Sequence, residues 1–316
     1  MSRLSVIITA FNEGDYLLEA VRSVQSQTFA NLEIILVDDG SRGHTKEVID
    51  SLANEPRLRI IRQANQGPSA ARNTGLLAAA SEYVGFLDGD DLWYPDKASR
   101  QIEILEQQPS VDLTYSWVRV VDENGHDTGR RRKPNTHLLL KDLVSQNRVG
   151  STSNIIARKE ALIAAGLFDQ DLRAAVDLEF YFRMARIREG NLRGVPQILL
   201  DYRIRRGQIT KDWQTLFREW EKAIAKIRNL EPEIVAAVEY ETYAIQKRYL
   251  AYLAYEGNDY PEARRLLFEA LRLKPNLLLD QASFFTITGI LSTYLPRKMH
   301  AALAKSVQNI RVKMKT

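Results

Sequence analysis

Asp88-Gly89-Asp90 sets two carboxylates two residues apart at the end of an apolar run, Tyr83–Leu87. Carboxylates so spaced can turn toward one hard divalent cation, Mn2+ or Mg2+, and such an ion bridges the oxygens of a diphosphate leaving group. Taken alone, this is an acidic turn facing water; its company argues otherwise. Asp38-Asp39 closes a second apolar run, Glu33–Val37. An acid there can accept a hydrogen bond from a base N–H or a ribose hydroxyl, although Asp-Asp-Gly-Ser is also good turn chemistry. Thr9 and Phe11 close a third run, Leu4–Thr9, and offer a hydroxyl and an aromatic face to a base. Gly67-Pro68-Ser69 opens a helix whose N-terminus can face phosphate, but it lacks the lysine of an ATPase-type loop. Arg72, one turn further on, reaches an anionic group or stands as a surface charge. Asp177 read alone is an N-cap; beside a reacting hydroxyl it would instead take the proton. Glu179 falls on a different face of the same helix. The four histidines make no paired-ligand pattern and read as surface residues.

The elements that carry these groups alternate. Apolar runs at Leu4–Thr9, Glu33–Val37, Leu58–Ile61 and Tyr83–Leu87 predict strands. Helical periods at Tyr16–Gln27, Thr45–Leu52 and from Pro68 to about Ala80 lie between them, and Pro95 opens another helix. Strands separated by helices of this length imply crossover units and a mainly parallel sheet, whose ligands bind beyond the carboxyl ends of the strands. All three polar motifs sit at such ends.

Further on, Val111–Val121 predicts a strand and Asp122–Asn135 a polar, basic loop. Leu138–Gln146, Lys159–Ala165 and Asp177–Arg188 predict helices; Asn154–Ala157 and Ile198–Ile204 predict strands. Beyond about Trp213 only helical periods remain. The expected division is therefore residues 1–210, in halves of 1–100 and 101–210, followed by a helical module at 211–316. Ala263, Leu267, Ala270 and Pro275 match half of a tetratricopeptide repeat, which reads as a helical hairpin because stable arrays need about three copies.

Composition narrows the classes. The chain has no cysteine, which excludes disulfides, thiolate zinc sites and a cysteine nucleophile. The first apolar run is too short for a signal peptide or a membrane span, so a cytoplasmic setting is expected. The basic clusters are Arg130–Lys133 and Arg203, Arg205 and Arg206. They read as solvated faces or as sites for an anionic partner; no nucleic-acid motif accompanies them. Phe284, Phe285, Ile287, Ile290, Leu291, Tyr294 and Leu295 before Pro296-Arg297-Lys298 suggest peripheral contact with the cytoplasmic face of a membrane, or packing against the rest of the chain.

The order and spacing of several runs resemble family 2 glycosyltransferases, which have the GT-A fold. They are Ser5-Val-Ile-Ile-Thr-Ala-Phe-Asn-Glu13, Ser26-Gln-Thr-Phe29, Glu33-Ile-Ile-Leu-Val-Asp-Asp-Gly-Ser41, Gly67-Pro-Ser-Ala-Ala-Arg-Asn73 and Glu82-Tyr-Val-Gly-Phe-Leu-Asp-Gly-Asp-Asp-Leu-Trp93. The resemblance covers about 1–205 and leaves the helical tail aside. It implies an α/β, Rossmann-like sheet and an inverting, metal-dependent transfer of a sugar from a nucleotide-sugar, most often UDP-linked, to a glycan or lipid-linked acceptor in cell-envelope polysaccharide synthesis. Thr9, Phe11, Glu13, Asp39, Gly67, Arg72, Asp88 and Gly89 would surround the donor. Asp90 would ligate the metal with Asp88 beside it, and Asp177 would be the general base.

Two departures stand out. Val176-Asp177 replaces the usual Glu-Asp step. Arg205 stands where many members carry a histidine near the metal. Two rival readings remain at this point: a noncatalytic sugar-nucleotide-binding or scaffold protein, and a nucleotidyltransferase. The latter expects a glycine-rich, lysine-bearing loop after the first strand, and Ala10-Phe11-Asn12-Glu13 is not one.

Overall fold

The structure is a computed structural model that describes residues 2–145, 147–205, 213–279, 287–288 and 290–294. Two compact units emerge: residues 1–143 with 147–206, and residues 144–146 with 207–316.

The first unit is built on one sheet in the order β3-β2-β1-β4-β8-β6-β9-β5, with β7 attached to β6. β1 (Leu4–Ala10), β2 (Leu32–Asp38), β3 (Leu58–Arg62) and β4 (Tyr83–Asp88) run parallel. β1 lies inside and is apolar almost throughout, as a strand covered on both faces must be. β3 is the outer edge and is half-exposed. The crossovers are α1 (Asp15–Gln25), α2 (Gly43–Ser51) and α3 (Pro68–Ala78). α1 buries Leu17, Ala20, Val21 and Val24, the i, i+3, i+4, i+7 stripe of a helix lying on a sheet. Those side chains join Leu4, Val6, Ile8, Ile34 and Leu36 in the main core.

Register does the positioning. Thr9 pairs with Val37 on one side and Asp88 on the other, and Ala10 pairs with Asp38. The ends of β1, β2 and β4 are therefore level, and the three polar motifs emerge along one edge.

The second half of the unit is mixed, as the expected α/β class allows. Here β5 is Leu92–Trp93, α4 Lys97–Gln107, β6 Leu113–Val121, β7 Asp127–Arg132, α5 Leu140–Ser145, β8 Ile156–Arg158, α6 Lys159–Ala164, α7 Val176–Ile187 and β9 Leu192–Arg203. β8 runs antiparallel to both β4 and β6, so β4 and β6 point the same way, and β9 is parallel to β6. β5 pairs antiparallel with β9.

Three expectations need correction. The basic stretch within Asp122–Asn135 is a hairpin strand, β7, whose arginines lie opposite Val118, Arg119 and Val120 of β6. The final strand begins at Leu192, well before Ile198; Pro196 removes one ladder donor, and the register slips at Ser116 and Trp117 of the partner strand. α7 starts at Val176, with Ala175 at the cap in the left-handed region (φ 57), so Asp177 is not the N-cap but lies in the first turn.

The second unit contains α8 (Trp213–Leu230), α9 (Pro232–Glu256) and α10 (Tyr260–Leu273). Leu250, Ala251 and Ala254 of α9 pack with Ala263, Leu266 and Leu267 of α10, and Ile287 and Ile290 join them. Small residues at these positions let the two helices approach closely. Among the described residues no helix is long and apolar enough to cross a membrane. The membrane-facing expectation rests largely on Phe284, Phe285 and 295–298, and the second basic cluster includes Arg206; all of these lie outside the described residues.

Candidate active site

The ten residues singled out above converge at the carboxyl edge of the sheet. Asp88 is the hub. Its Oδ1 accepts hydrogen bonds from Arg72 Nη2 at 2.5 Å and Thr9 Oγ1 at 3.3 Å. Arg72 is buried in the first turns of α3, and its guanidinium lies 5.9 Å from the Phe168 ring centre. The helix places it there because Gly67, at φ 90, turns the chain sharply and Pro68 takes the first helical position.

Asp39 also holds the chain that leads into α3. Its Oδ1 accepts from Gln63 Nε2 at 2.8 Å and Gln66 N at 2.9 Å, and Oδ2 accepts from Gly67 N at 2.8 Å. A carboxylate has about four acceptor positions, so one remains for a nucleoside. The same carboxylate thus clasps the loop that launches α3. Phe11 presents its ring at the edge, 46% exposed. Its backbone N–H donates to Glu13, whose carboxyl is raised to about 7 by burial, with the negative Asp90 adding to the rise and the Phe11 N–H opposing it. Gly89 lies against these groups: a Cβ there would stand 2.9 Å from the Thr9 carbonyl oxygen and 3.2 Å from Glu13 Cγ. No larger residue fits without displacing the acidic pair.

Asp90 is buried and accepts from Arg205 Nε at 2.6 Å. Arg203 runs beside it, its Nε donating to the Asp90 carbonyl oxygen at 2.9 Å and its Nη2 to Glu19 at 2.6 Å. Both guanidiniums lie over the Tyr16 ring, at 4.6 Å for Arg203 and 5.5 Å for Arg205. Asp91, which the sequence reading passed over, is fully buried and accepts the Arg203 N–H at 2.9 Å. Burial, reinforced by Asp90 and Asp88, lifts its carboxyl well above the ordinary carboxylate range. The signal was available as the third acid of the run.

Asp88 and Asp90 suit a divalent cation by donor chemistry, since both are hard oxygen donors and the Arg72 and Thr9 hydrogen bonds to Asp88 both fall on Oδ1. Among the described residues no group of three His, Cys, Asp or Glu side chains could hold an ion alone. Mg2+ and Mn2+ accept one or two carboxylates when phosphate oxygens and water complete the shell. The pair therefore fits an ion shared with a diphosphate.

Asp177 lies across from this group. Its Oδ1 accepts from Leu178 N at 2.9 Å, and Oδ2 from Asn147 Nδ2 at 2.5 Å. Asn147 also ties Gly150 in both directions at 2.8 Å. Burial raises the Asp177 pKa, while the Leu178 N–H, the charge of Arg72 and the Asn147 amide pull it back. Tyr181, one turn on, is fully buried with no hydrogen-bond partner for its hydroxyl. Neither Asn147 nor Tyr181 carried a sequence signal. Glu179 points elsewhere, pairing with Arg183 at 2.7 Å.

Beneath the edge lies a polar hub. Asn154 accepts from Ser116 Oγ at 2.7 Å and donates to the Ser116 and Val149 carbonyl oxygens at 2.8 Å. Lys97, fully buried, donates to Gln101 at 2.5 Å and to the Asn154 carbonyl at 2.8 Å.

Strand ends that present an aromatic face, a clasped carboxylate, an acid pair held by two arginines and a separate acid on α7 suit a nucleotide-dependent group transferase. The chain belongs to glycosyl transferase family 2, whose family model matches residues 5–166. It is similar to uncharacterized glycosyltransferases of Rickettsia felis (36% identity over 124 residues, 39% of this chain and 20% of that protein) and of Nostoc sp. (39% over 124 residues, 39% and 38%). The chain thus spans a fifth to about two fifths of these relatives. EpsJ of Bacillus subtilis, an uncharacterized glycosyltransferase, is 31% identical over 186 residues (56% and 54%). The fold is shared with S. aureus TarS 1-349 in complex with UDP, at 20% identity and TM-score 0.60, covering 98% of this chain and 89% of that one. The same protein in complex with UDP-GlcNAc matches at 19% identity and TM-score 0.60, covering 98% and 90%.

Proposed function

We propose that this chain is an inverting glycosyltransferase that moves a sugar from a UDP-sugar to an acceptor hydroxyl in envelope polysaccharide or other glycoconjugate synthesis. The observation that carries the reading is the position of Arg72. It is ion-paired to Asp88 on the donor side, and its charge also acts on Asp177 on the other side. Donor and acceptor chemistry are thereby brought to one place.

In this reading Phe11 stacks on the base, and Thr9 and the remaining acceptor position of Asp39 address the nucleoside. Asp88 and Asp90 would hold Mn2+ or Mg2+, and the ion when bound would supply positive charge to the diphosphate. Arg205, already oriented by Tyr16, adds positive charge where the leaving group departs, the kind of preorganised stabilisation worth several kcal/mol. Asp177 accepts the proton of the acceptor hydroxyl as its oxygen attacks the anomeric carbon. The bond from that carbon to the diphosphate oxygen breaks from the opposite face, and the nucleoside diphosphate leaves with the electron pair. The reported use of UDP and UDP-GlcNAc as ligands by the TarS structures supports a uridine donor. The chain is expected in the cytoplasm, with peripheral contact at the cytoplasmic face of a membrane as the further expectation.

Nucleotide release from a panel of nucleotide-sugars, with Mn2+ or Mg2+ and with chelator, tests the reading. Metal-dependent release that collapses in Asp90→Ala and Asp177→Asn is the expected result. Nucleotide binding without release for any donor, even with a crude membrane extract as acceptor, would favour a noncatalytic role.

A further inference from the structure

The chain just before β8 bears on both acids of the site. β8 runs antiparallel to β4, with Tyr83 opposite Arg158 and Gly85 opposite Ile156. Carried back along the chain, that register sets Ile155 against Phe86, whose N–H donates to the Ile155 carbonyl oxygen at 3.4 Å, and Ser153 against Asp88. By this point the chain has left the strand for a 3-10 turn, Thr152–Asn154, and a side chain takes over from the ladder. The Asp88 N–H donates to Ser153 Oγ at 3.0 Å, and Ser153 is fully buried. On the opposite flank Gly89 N donates to the Thr9 carbonyl oxygen at 3.0 Å. The backbone at the acid is thus held from β1 on one side and from Ser153 on the other. A buried N–H requires an acceptor, and here a serine hydroxyl supplies it.

The turn itself is pinned. Ser153 N donates to Ser151 Oγ at 3.1 Å, and the Ser153 carbonyl oxygen accepts from Trp93 Nε1 at 2.8 Å. Asn154, also fully buried, is fixed by Ser116 and Lys97, and its amide holds the Val149 carbonyl oxygen. Gly150 bends the chain at φ 90, in the left-handed region that glycine tolerates. Beyond it Asn147 closes a ring, accepting from Gly150 N and donating to the Gly150 carbonyl oxygen, both at 2.8 Å. The same amide nitrogen donates to Asp177 Oδ2 at 2.5 Å. One stretch of chain, residues 147–153, therefore bonds to Asp88 at one end and to Asp177 at the other.

We propose that Ser153 is a positioning residue for Asp88, and that residues 147–153 act as a brace that sets the spacing between Asp88 and Asp177. Ser153 does not meet substrate; its buried hydroxyl acts through the Asp88 backbone. Attack of a hydroxyl on a bound donor depends steeply on placement, and a shift of about 1 Å caused far from the reacting atoms can cost about 10²-fold in rate. The inference rests on the glycosyltransferase reading and deepens it, by naming what ties the donor side to the proposed base.

Ser153→Ala removes the acceptor with little change in shape. Thr114→Val is the matched control. Thr114 is equally buried and belongs to the same polar hub, donating to the Ile156 carbonyl oxygen at 3.0 Å and accepting from Gln101 at 3.3 Å, but these bonds reach neither acid. Amide exchange in a peptide spanning 83–90, UDP affinity with Mn2+ by calorimetry, and nucleotide release are measured on the full chain. The expected result for Ser153→Ala is faster exchange at Asp88, with UDP affinity and kcat for release each lowered about tenfold, as an unmade buried hydrogen bond at a placed acid requires. Thr114→Val should lower the melting temperature and leave all three near wild type. Ser153→Cys, similar in shape and a weaker acceptor, should fall between wild type and Ser153→Ala, and it carries the comparison if the alanine variant melts early. UDP affinity and kcat that are unchanged in the Ser153 variants, or lowered equally in Thr114→Val, overturn the proposal, because a hub that only holds the fold together moves the variants alike. A wild type that binds UDP with Mn2+ but releases nucleotide from no donor overturns the transferase reading alone, and UDP affinity and Asp88 exchange still decide the role of Ser153. A wild type that does neither overturns both.

Discussion

Arg205 Nε donates to Asp90 Oδ2 at 2.6 Å, so the residue expected to ligate a metal is already engaged by a cation from the end of β9. A guanidinium cannot be a metal ligand, so this chain cannot use position 205 as a histidine would be used. It can only share Asp90 with an ion or address the diphosphate directly.

The first prediction follows from that competition. Arg205→Ala removes the guanidinium from Asp90 Oδ2, and Mn2+ alone should bind more tightly by titration calorimetry. The same variant loses charge beside the leaving group, so kcat should fall about ten- to a hundredfold, the scale of one preorganised electrostatic contact. Unchanged Mn2+ affinity together with unchanged kcat would leave Arg205 no role beyond packing on Tyr16.

The second prediction concerns the proposed proton acceptor. Asp177 can act as a base only when ionised, and burial raises its pKa. Transfer should therefore lose rate as pH falls through that raised value. The Asn147 amide stabilises the charged form, so Asn147→Ala raises the pKa further and moves the acid limb of the kcat/KM profile to higher pH. Asp177→Asn should cost about 10²- to 10⁴-fold in rate, with donor affinity retained. An acid limb that stays fixed in Asn147→Ala would separate that limb from Asp177.

Gly89→Ala tests the close approach beneath the acid pair. Its Cβ would lie 2.9 Å from a backbone oxygen of β1, which has no flexible end to move away. Overpacking of this kind costs about 1–3 kcal/mol, read as a lower midpoint in urea. Metal binding should weaken as well, because Asp88 and Asp90 shift with residue 89.

Lys97 provides a pH-dependent stability that can be read without any substrate. Burial drives its pKa well below the ordinary value of 10.5. In the unfolded chain the amine keeps its proton up to that ordinary value, whereas in the folded protein it gives it up earlier. The unfolded state then binds more protons between the two values, so stability rises with pH across that window. The contribution is complete above the unfolded value and is lost as pH falls through the folded one. Lys97→Met should flatten the difference in urea midpoint between neutral pH and about pH 10. Parallel pH dependences in the two proteins would mean that the ammonium is not disfavoured inside the fold.

The parallel quartet was legible because each of its strands is a continuous apolar run closed by polar residues, and Thr9, Asp39 and Asp88 stand at those closures. β7 was hidden because Arg130, Arg131 and Arg132 show no apolar alternation; their strand is held by backbone pairing to β6 and by stacking on Tyr202, which no local pattern encodes. The first half of β9 was obscured by Pro196. At the site, Asp177 was reached through resemblance, since its spacing from Asp88 says nothing about proximity. Asn147 and Lys97 were invisible for a similar reason, since Asp177 and Asn154 are distant from them in sequence, and Tyr181 because nothing in the sequence tells that burial leaves its hydroxyl without a partner.

The seam of the sheet has a mechanical meaning. β8 is three residues long, yet it alone joins the parallel strands that carry Asp39 and Asp88 to β6 and β9. A short strand bonded on both flanks sets the stagger between the strand ends that bear Asp39 and Asp88 and the ladder of β6 and β9. Substitutions at Ile156–Arg158 should therefore be felt at that edge although none of these residues reaches it.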